Sequence, residues 1–418
     1  MRILLWHGYL LGGTGSNVYT RSLAREWSRA GHEVTVVCQE QAPELYDLGA
    51  ATVVRPELPG GLLPVFVLDD YPGLEARLLQ DFSGEECRRY VEANAAVLRG
   101  LLPADLVFAN HVLMGGPVGA ATGSRFRVKA HGSELEYSMR GRPVLETWGR
   151  ESLAAAEAVF VGSQHIREVL AEVTGHVDRV VEVPPGVDVE EFVLQSRAGA
   201  FVDLLAEADR DPPNPGNADE RLPDDGNARR FAEFLAGGEP VVVYFGKLIA
   251  NKGVQLLLEA LGSLDARAVV VGFGDYRGEL ERLAGALEPG RVLFTGPLEH
   301  RHLVHLLPLA DAAVVPSIFP EAFGMVAAEA AACGCPPLVA RHSGLAEVAA
   351  GLEAEYPEPL RHLAAFETGN AADLRDKLAH LLALPEPDRA ALRAACRRAV
   401  SARWSWAGVA ARLLAPVA

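Results

Sequence analysis

The chain has 418 residues, 49% of them hydrophobic and 22% charged, enough for two globular domains of roughly 150 to 200 residues each. A net charge of −16 and a pI near 5.3 exclude a nucleic acid as the main partner, because phosphate backbones are bound by clustered Lys and Arg. Five cysteines (Cys38, Cys87, Cys333, Cys335 and Cys396) show neither the CxxC spacing of a zinc site nor a disulfide framework, which points to a reduced, cytoplasmic setting.

The apolar run at Ile3-Leu4-Leu5-Trp6 stops at His7-Gly8 without a small-residue cleavage site, and reads as a first buried strand. No stretch of about 20 apolar residues occurs, so a membrane span is not expected, although peripheral membrane contact through an exposed helix is compatible with the sequence. Strands are expected near Val34–Cys38, Val65–Leu68, Leu106–Ala109, Arg127–Ala130 and Val159–Val161, separated by amphipathic stretches in a βαβ rhythm. The first of these stretches, Ser16 to Ala30, places Val18, Tyr19, Leu23 and Trp27 near helical spacing before Gly31, a residue suited to a helix end. Pro184-Pro185-Gly186-Val187-Asp188 then breaks the pattern and reads as a hinge.

From Asp203 to Asn227 the chain is acidic and rich in Pro, Asn and Gly, and is expected to be a solvated insertion or an ordered surface excursion. It holds Asp209-Arg210-Asp211, a DxD triplet that would bind metal only at the end of a buried strand. A surface reading is preferred there, with no metal site. A second βαβ series begins at Val241–Phe245 and continues through Ala268–Val271, Val292–Phe294, Ala313–Val315 and Leu338–Ala340. The fold expected is α/β, with two Rossmann-like domains facing across a cleft. Its parts are a first domain over 1–188, a crossover with the acidic insertion over 189–239, and a second domain over 240–402. A final helix over 403–418, opened by Trp404-Ser405-Trp406, is expected to pack back on the first domain.

Glu321-Ala322-Phe323-Gly324-Met325-Val326 follows a predicted strand at its carboxyl end and opens a helix that runs through Glu329. Ligands in open parallel sheets bind at that edge, where unpaired N–H groups and the helix dipole favour a phosphate. Glu329 falls five residues beyond Gly324, about 7.5 Å along a helix axis. That separation suits a nucleotide sugar, with the diphosphate on the helix start, Glu321 on the sugar and Glu329 on the ribose. Gly246-Lys247 and Lys252-Gly253 follow another strand, and their two cations can neutralise a departing diphosphate. Gly272-Phe273-Gly274 and Pro297-Leu298-Glu299 are weaker candidates for the nucleotide pocket, Leu298 included.

In the first half, Gly12-Gly13-Thr14-Gly15-Ser16-Asn17 fails the dinucleotide fingerprint because Val18 stands where a third small residue is needed. Gly13 remains a candidate phosphate or sugar clamp. His131-Gly132 ends a predicted strand and is a ligand-contact candidate, while Tyr137, Arg140 and Arg142 are candidates for a phosphate or carboxylate on the acceptor.

Taken in this order, these motifs resemble the retaining family-four glycosyltransferases of GT-B fold, the group of glycogen synthase-like, sucrose-phosphate synthase-like and mannosyltransferase enzymes. The resemblance covers nearly the whole chain. It implies a hexosyl transfer from a nucleotide-diphosphate sugar to a hydroxyl of a carbohydrate or small acceptor; UDP and ADP are favoured over GDP as a prior expectation only. Retention of configuration, no metal and no separate cofactor are implied with it. It further implies that Lys247 and Lys252 contact the diphosphate, Glu321 the donor sugar and Glu329 the ribose. His131 would then meet the sugar hydroxyl furthest from the reacting carbon, and Glu321, Lys252 and His131 would carry the catalysis. Lys247 departs from the Arg usual there, which replaces a planar fork by a point charge. An epimerase or hydrolase of the same nucleotide sugar is the alternative, since it would share the donor motifs and need no acceptor.

Overall fold

Strands buried on both faces of a parallel sheet must be apolar along their length, and the connections between them must cross over through helices. The chain begins in this way with β1 (Arg2–Trp6), α1 (Gly15–Arg29), β2 (Glu33–Val37), β3 (Thr52–Val54), β4 (Leu62–Val65), β5 (Glu75–Leu78) and α2 (Gly84–Gly100). It continues through β6 (Leu106–Asn110), α3 (Gly115–Ala121), β7 (Phe126–Lys129), α4 (Pro143–Ala154), β8 (Ala158–Val161), α5 (Gln164–Thr174) and β9 (Val180–Glu182). The computed structural model describes residues 1–13, 15–68, 71, 73–214 and 222–416. They form two compact units, Met1–Gly186 with the final helix, and Val187–Ser405.

In the first unit, seven parallel strands follow the order β3-β2-β1-β6-β7-β8-β9, with Leu5 level with Val36 on one side and Phe108 on the other. The order reverses between β1 and β6, so the loops leaving their carboxyl ends part and open a crevice there. Gly31 takes φ 84° just past α1, as a helix end requires. The strand expected over Val65–Leu68 ends at Val65. It pairs with β5 in a separate two-stranded sheet, and Val67 and Leu68 are exposed. The short strands β3, β5 and β9 carry three or four residues each, too few for periodicity to reveal them.

The second unit holds α6 (Arg197–Ala208), α7 (Gly226–Phe234), β10 (Val241–Phe245), α8 (Val254–Leu261), β11 (Arg267–Val271), α9 (Arg277–Ala284) and β12 (Val292–Gly296). These are followed by α10 (His300–Leu306), β13 (Ala312–Val315), α11 (Met325–Ala332), β14 (Pro337–Ala340), α12 (Ser343–Glu353), β15 (Ala365–Phe366), α13 (Ala371–Leu382) and α14 (Glu386–Arg403). Its six-stranded parallel sheet has the order β12-β11-β10-β13-β14-β15, and the reversal falls between β10 and β13. The segment expected as a solvated insertion or ordered surface excursion, Asp203 to Asn227, begins inside α6 and ends inside α7, so its two ends belong to helices that reach the core. Ala200, Leu204 and Ala208 on α6, and Phe231 and Phe234 on α7, are buried in the core of this unit, with Ser196 capping α6 through the Gly199 N–H at 3.2 Å. Of that segment, residues 215–221 lie outside those described.

A last helix, α15 (Trp406–Leu414), belongs to the first unit. Its Trp406, Val409, Ala410 and Leu413 are buried. Trp406 meets the Tyr19 ring edge-on at 5.4 Å, and the Trp27 indole N–H donates to the Ala410 carbonyl at 3.0 Å. Among the described residues no helix is long and apolar enough to cross a membrane.

Candidate functional site

In the second unit the loops after β10, β11 and β13 are drawn together by glycines. Gly253 has φ 70°, and a Cβ there would lie 1.9 Å from the Pro316 carbonyl oxygen; at Gly272 the corresponding distance to the Gly246 oxygen is 1.8 Å. Ile318 N–H donates to the Asn251 carbonyl at 2.9 Å, and Leu248 N–H to Phe273 at 2.7 Å. This places Lys252, after β10, against Glu321, after β13, with Nζ and Oε1 2.5 Å apart. The pair therefore stands at the topological switch of this sheet. Lys247, on the same loop, is exposed, and its carbonyl accepts the Tyr244 hydroxyl at 2.8 Å.

Gly324 caps α11 with φ 119°, so the chain turns directly from Glu321 into a helix whose first N–H groups, at Met325 and Val326, have no partner within the helix. A Cβ at Gly324 would come 2.5 Å from Leu345. Met325, Val326 and Leu298 are half-buried against the core. The Phe323 ring is buried edge-on to Trp404 at 5.7 Å, and its backbone lies against Gly344, where a Cβ would come 2.5 Å from the Phe323 Cα. Glu329 is buried, and burial raises its pKa, with Glu191 adding to the shift and His300 opposing it. His300 bridges the two carboxylates, 3.8 Å from each.

The backbone of Glu321 is also held from behind. His342 Nε2 lies 2.7 Å from the Ser317 carbonyl, a pure acceptor, so Nε2 carries the proton and Nδ1 accepts from the Ser343 hydroxyl at 2.9 Å. Ser343 in turn accepts the Glu321 N–H at 2.8 Å. Ser343 takes φ 45° to do so.

In the first unit His131 follows β7, at the carboxyl edge of the sheet. Its backbone N–H donates to Glu134 at 2.9 Å, and the other oxygen of that fully buried carboxylate accepts from Leu113 N–H, after β6, at 3.0 Å. One carboxylate thus ties together the loops of two neighbouring strands, and burial pushes its pKa up to about 8. The neighbouring loop residues His111 and Met114 have φ of 74° and 63°. Burial, then Lys129 and His7, hold His131 well below the usual imidazole range, so it is neutral at pH 7. Burial brings Lys129 itself down to about 7. Gly13 has φ 86°, and Asn17 fastens the loop by donating to the Gly12 carbonyl. Thr14, in the same loop, lies outside the described residues.

The three acceptor candidates stand apart from this cluster in their bonding. Arg140 is engaged with Glu136 at 2.8 Å and Glu172 at 2.9 Å. Arg142 donates to the carbonyls of Tyr137 at 3.0 Å and Ser138 at 3.3 Å, while Tyr137 is exposed. Arg140 thus ties its turn to α5, and Arg142 holds carbonyls of its own turn. The DxD triplet is not a loose surface loop either. Asp211 is fully buried between Arg301 and His302, the latter at 2.9 Å. Asp211 therefore anchors α10 to the segment after α6. Among the described residues no three His, Cys, Asp or Glu are grouped to hold a metal.

Sequence reasoning missed Glu134, His342 and Ser343. The acid three residues after His131 is the one signal the sequence offered.

Residues 13–191 match the family described as Glycosyltransferase Family 4, and residues 226–399 match Glycosyl transferases group 1. The chain is 28% identical to the D-inositol 3-phosphate glycosyltransferase of Xylanimonas cellulosilytica, over 96% of this chain and 90% of that protein. It is 29% identical to a GDP-mannose-dependent α-(1-6)-phosphatidylinositol monomannoside mannosyltransferase of Mycolicibacterium smegmatis, over 56% of each. Among solved structures, the sucrose-phosphate synthase of Thermosynechococcus elongatus aligns with a TM-score of 0.66 at 20% identity, covering 99% of this chain and 97% of that one. The Anabaena protein HepE with UDP-glucose gives 0.67 at 17%, covering 99% and 98%. These neighbours show an α/β fold of GT-B type.

Proposed function

We propose that this glycosyltransferase, with one such domain in each unit, moves a hexosyl group from a nucleotide-diphosphate sugar to an acceptor hydroxyl. Transfer proceeds with retention and without a metal ion. The observation that carries this is the Lys252–Glu321 pair, 2.5 Å apart at the switch of the second sheet, beside the glycine-capped start of α11. A diphosphate on that helix start meets backbone N–H groups, and Lys252 and Lys247 add the charge that stabilises it as it departs. Glu321 accepts hydrogen bonds from the sugar and Glu329 from the ribose. In the reaction the bond from the anomeric carbon to the phosphate oxygen breaks. The acceptor oxygen bonds to the same face, and the acceptor's proton passes to the departing phosphate.

UDP- and ADP-sugars are the favoured donors, and the names of two mannosyltransferase relatives bring GDP-mannose into the same test. The acceptor is a carbohydrate or small hydroxylated molecule, and a lipid-borne acceptor would bring the protein to a membrane surface. The five free thiols agree with a cytoplasmic location. Glu321→Ala and Lys252→Ala are each expected to lower kcat by about 10²-fold in purified enzyme. Near-normal turnover in both variants would sink the assignment. Conversion of the donor alone, as fast as with any acceptor, would favour an epimerase or hydrolase.

A further inference from the structure

A neutral imidazole carries one proton, and the nitrogen that holds it decides which side of the ring donates and which accepts. His131 Nε2 lies 3.0 Å from Asn110 Oδ1, at the end of β6. The Asn110 amide is itself held, with Nδ2 3.1 Å from the Thr20 hydroxyl oxygen. That hydroxyl lies 2.8 Å from the Ser16 carbonyl, one turn earlier in α1.

The directions follow from the chemistry of each group. A carbonyl oxygen only accepts, so Thr20 spends its single hydroxyl proton on Ser16. Toward Asn110 it can then only accept, which requires the NH2 side of the amide and turns the Asn110 carbonyl to His131. A carbonyl facing Nε2 requires the proton there. Nδ1 is left with its lone pair, and among the described residues it makes no hydrogen bond. Asn110 and Thr20 are fully buried, so water does not compete for these bonds.

We propose that Thr20 and Asn110 are positioning residues that lock His131 as its Nε2–H tautomer, so that Nδ1 is presented as the acceptor for a hydroxyl of a bound substrate. The second half rests on the sequence-based reading of His131 as a ligand contact. The same helix repeats the device. Asn17 Nδ2 donates to the Gly12 carbonyl, and its Oδ1 faces His7 Nε2 at 2.8 Å. The groups around the His131 ring favour its neutral state. The His111 ring lies 4.7 Å away and the Tyr19 ring 5.5 Å, and Lys129 and His7 oppose a positive charge. Glu134 is engaged by backbone N–H groups.

Nitrogen–proton correlation spectra of the histidine side chains in the full chain test the relay directly, with His131→Gln identifying the ring. The wild-type protein is expected to show Nε2–H for His131 at pH 7. Thr20→Val keeps the shape and removes the acceptor, so a mixture of tautomers and an about tenfold fall in kcat are expected, the worth of one hydrogen bond. Thr20→Ser restores both. Asn110→Asp sets a carboxylate against Nε2 and holds the ring protonated at pH 7, so activity climbs as pH rises through the new pKa. An Nδ1–H tautomer in the wild-type protein overturns the relay, as does an undisturbed spectrum in both Thr20→Val and Asn110→Asp. The wild-type spectrum decides even where a variant fails to fold. If the spectra are as expected and His131→Gln turns over substrate at the wild-type rate, the substrate contact falls and the relay alone stands.

Discussion

Lys129 shows how much a single buried charge costs this fold. It is 3% exposed, its Nζ donates to the Val183 carbonyl at 2.9 Å, and its pKa falls from the ordinary lysine range to about 7. The folded protein therefore binds fewer protons than the unfolded chain between about pH 7 and the unfolded lysine pKa of about 10.4. The penalty is complete below pH 7 and fades as pH rises through that window. Relative to Lys129→Met, wild-type stability in urea should gain at most about 1.4 kcal/mol per pH unit there. A difference that is flat with pH would show that the folded lysine keeps its proton up to the unfolded pKa, as a solvated one does. Ser343→Ala removes the group that holds the Glu321 N–H. It is expected to destabilise by about 1 kcal/mol and to reduce kcat more than it changes thermal stability, a split that parallel kinetic and melting measurements read. His131 and Glu321 were legible in sequence because each follows a strand and precedes or meets a glycine. Asn110, Thr20 and Glu134 were not, because their meaning lies in partners across strands, 90 residues apart for Asn110 and Thr20.

At the scale of elements, the loops behind the Lys252–Glu321 pair depend on close backbone approach. Gly253→Ala would put a Cβ 1.9 Å from the Pro316 oxygen in a left-handed conformation, and a loss of roughly 2 kcal/mol or more is expected. Donor affinity should fall with it. A melting temperature equal to wild type would show that the loops have room to part. Trp406→Ala removes a ring buried against Tyr19 and Gly186. It should cost the first unit about 3 to 5 kcal/mol, judged from buried aromatic truncations and read by chemical denaturation. The alternation of strand and helix was plain in the sequence. The helices α6 and α7 were hidden because Asp, Pro and Asn around them outweighed in composition the few apolar side chains that reach the core.

For the whole molecule, the sequence carried the two βαβ series, while the order of strands within each sheet is set by packing that no local pattern encodes. That order matters, since it puts Lys252 and Glu321 at the reversal of the second sheet, after β10 and β13, and His131 after β7, the strand next to β6 at the reversal of the first. A nucleotide diphosphate that binds the native second unit should raise its stability by about 2.7 kcal/mol at a hundred times its Kd. A thermal-shift panel of UDP, ADP, GDP and their sugars reads this, and no shift with any of them would count against a donor site on α11.

The chain leaves the first unit at Gly186 and returns to it at Trp406. On a ribosome, then, every residue of the second unit is made before the helix that covers α1. Until that helix emerges, Trp27 lacks the Ala410 carbonyl that its indole bonds, and Tyr19 and Leu23 lack part of their apolar wall. The unit that starts first is finished last. A nascent chain held before position 406 pairs a completed second unit with an unfinished first one, whose uncovered apolar face is the kind of surface that chaperones bind.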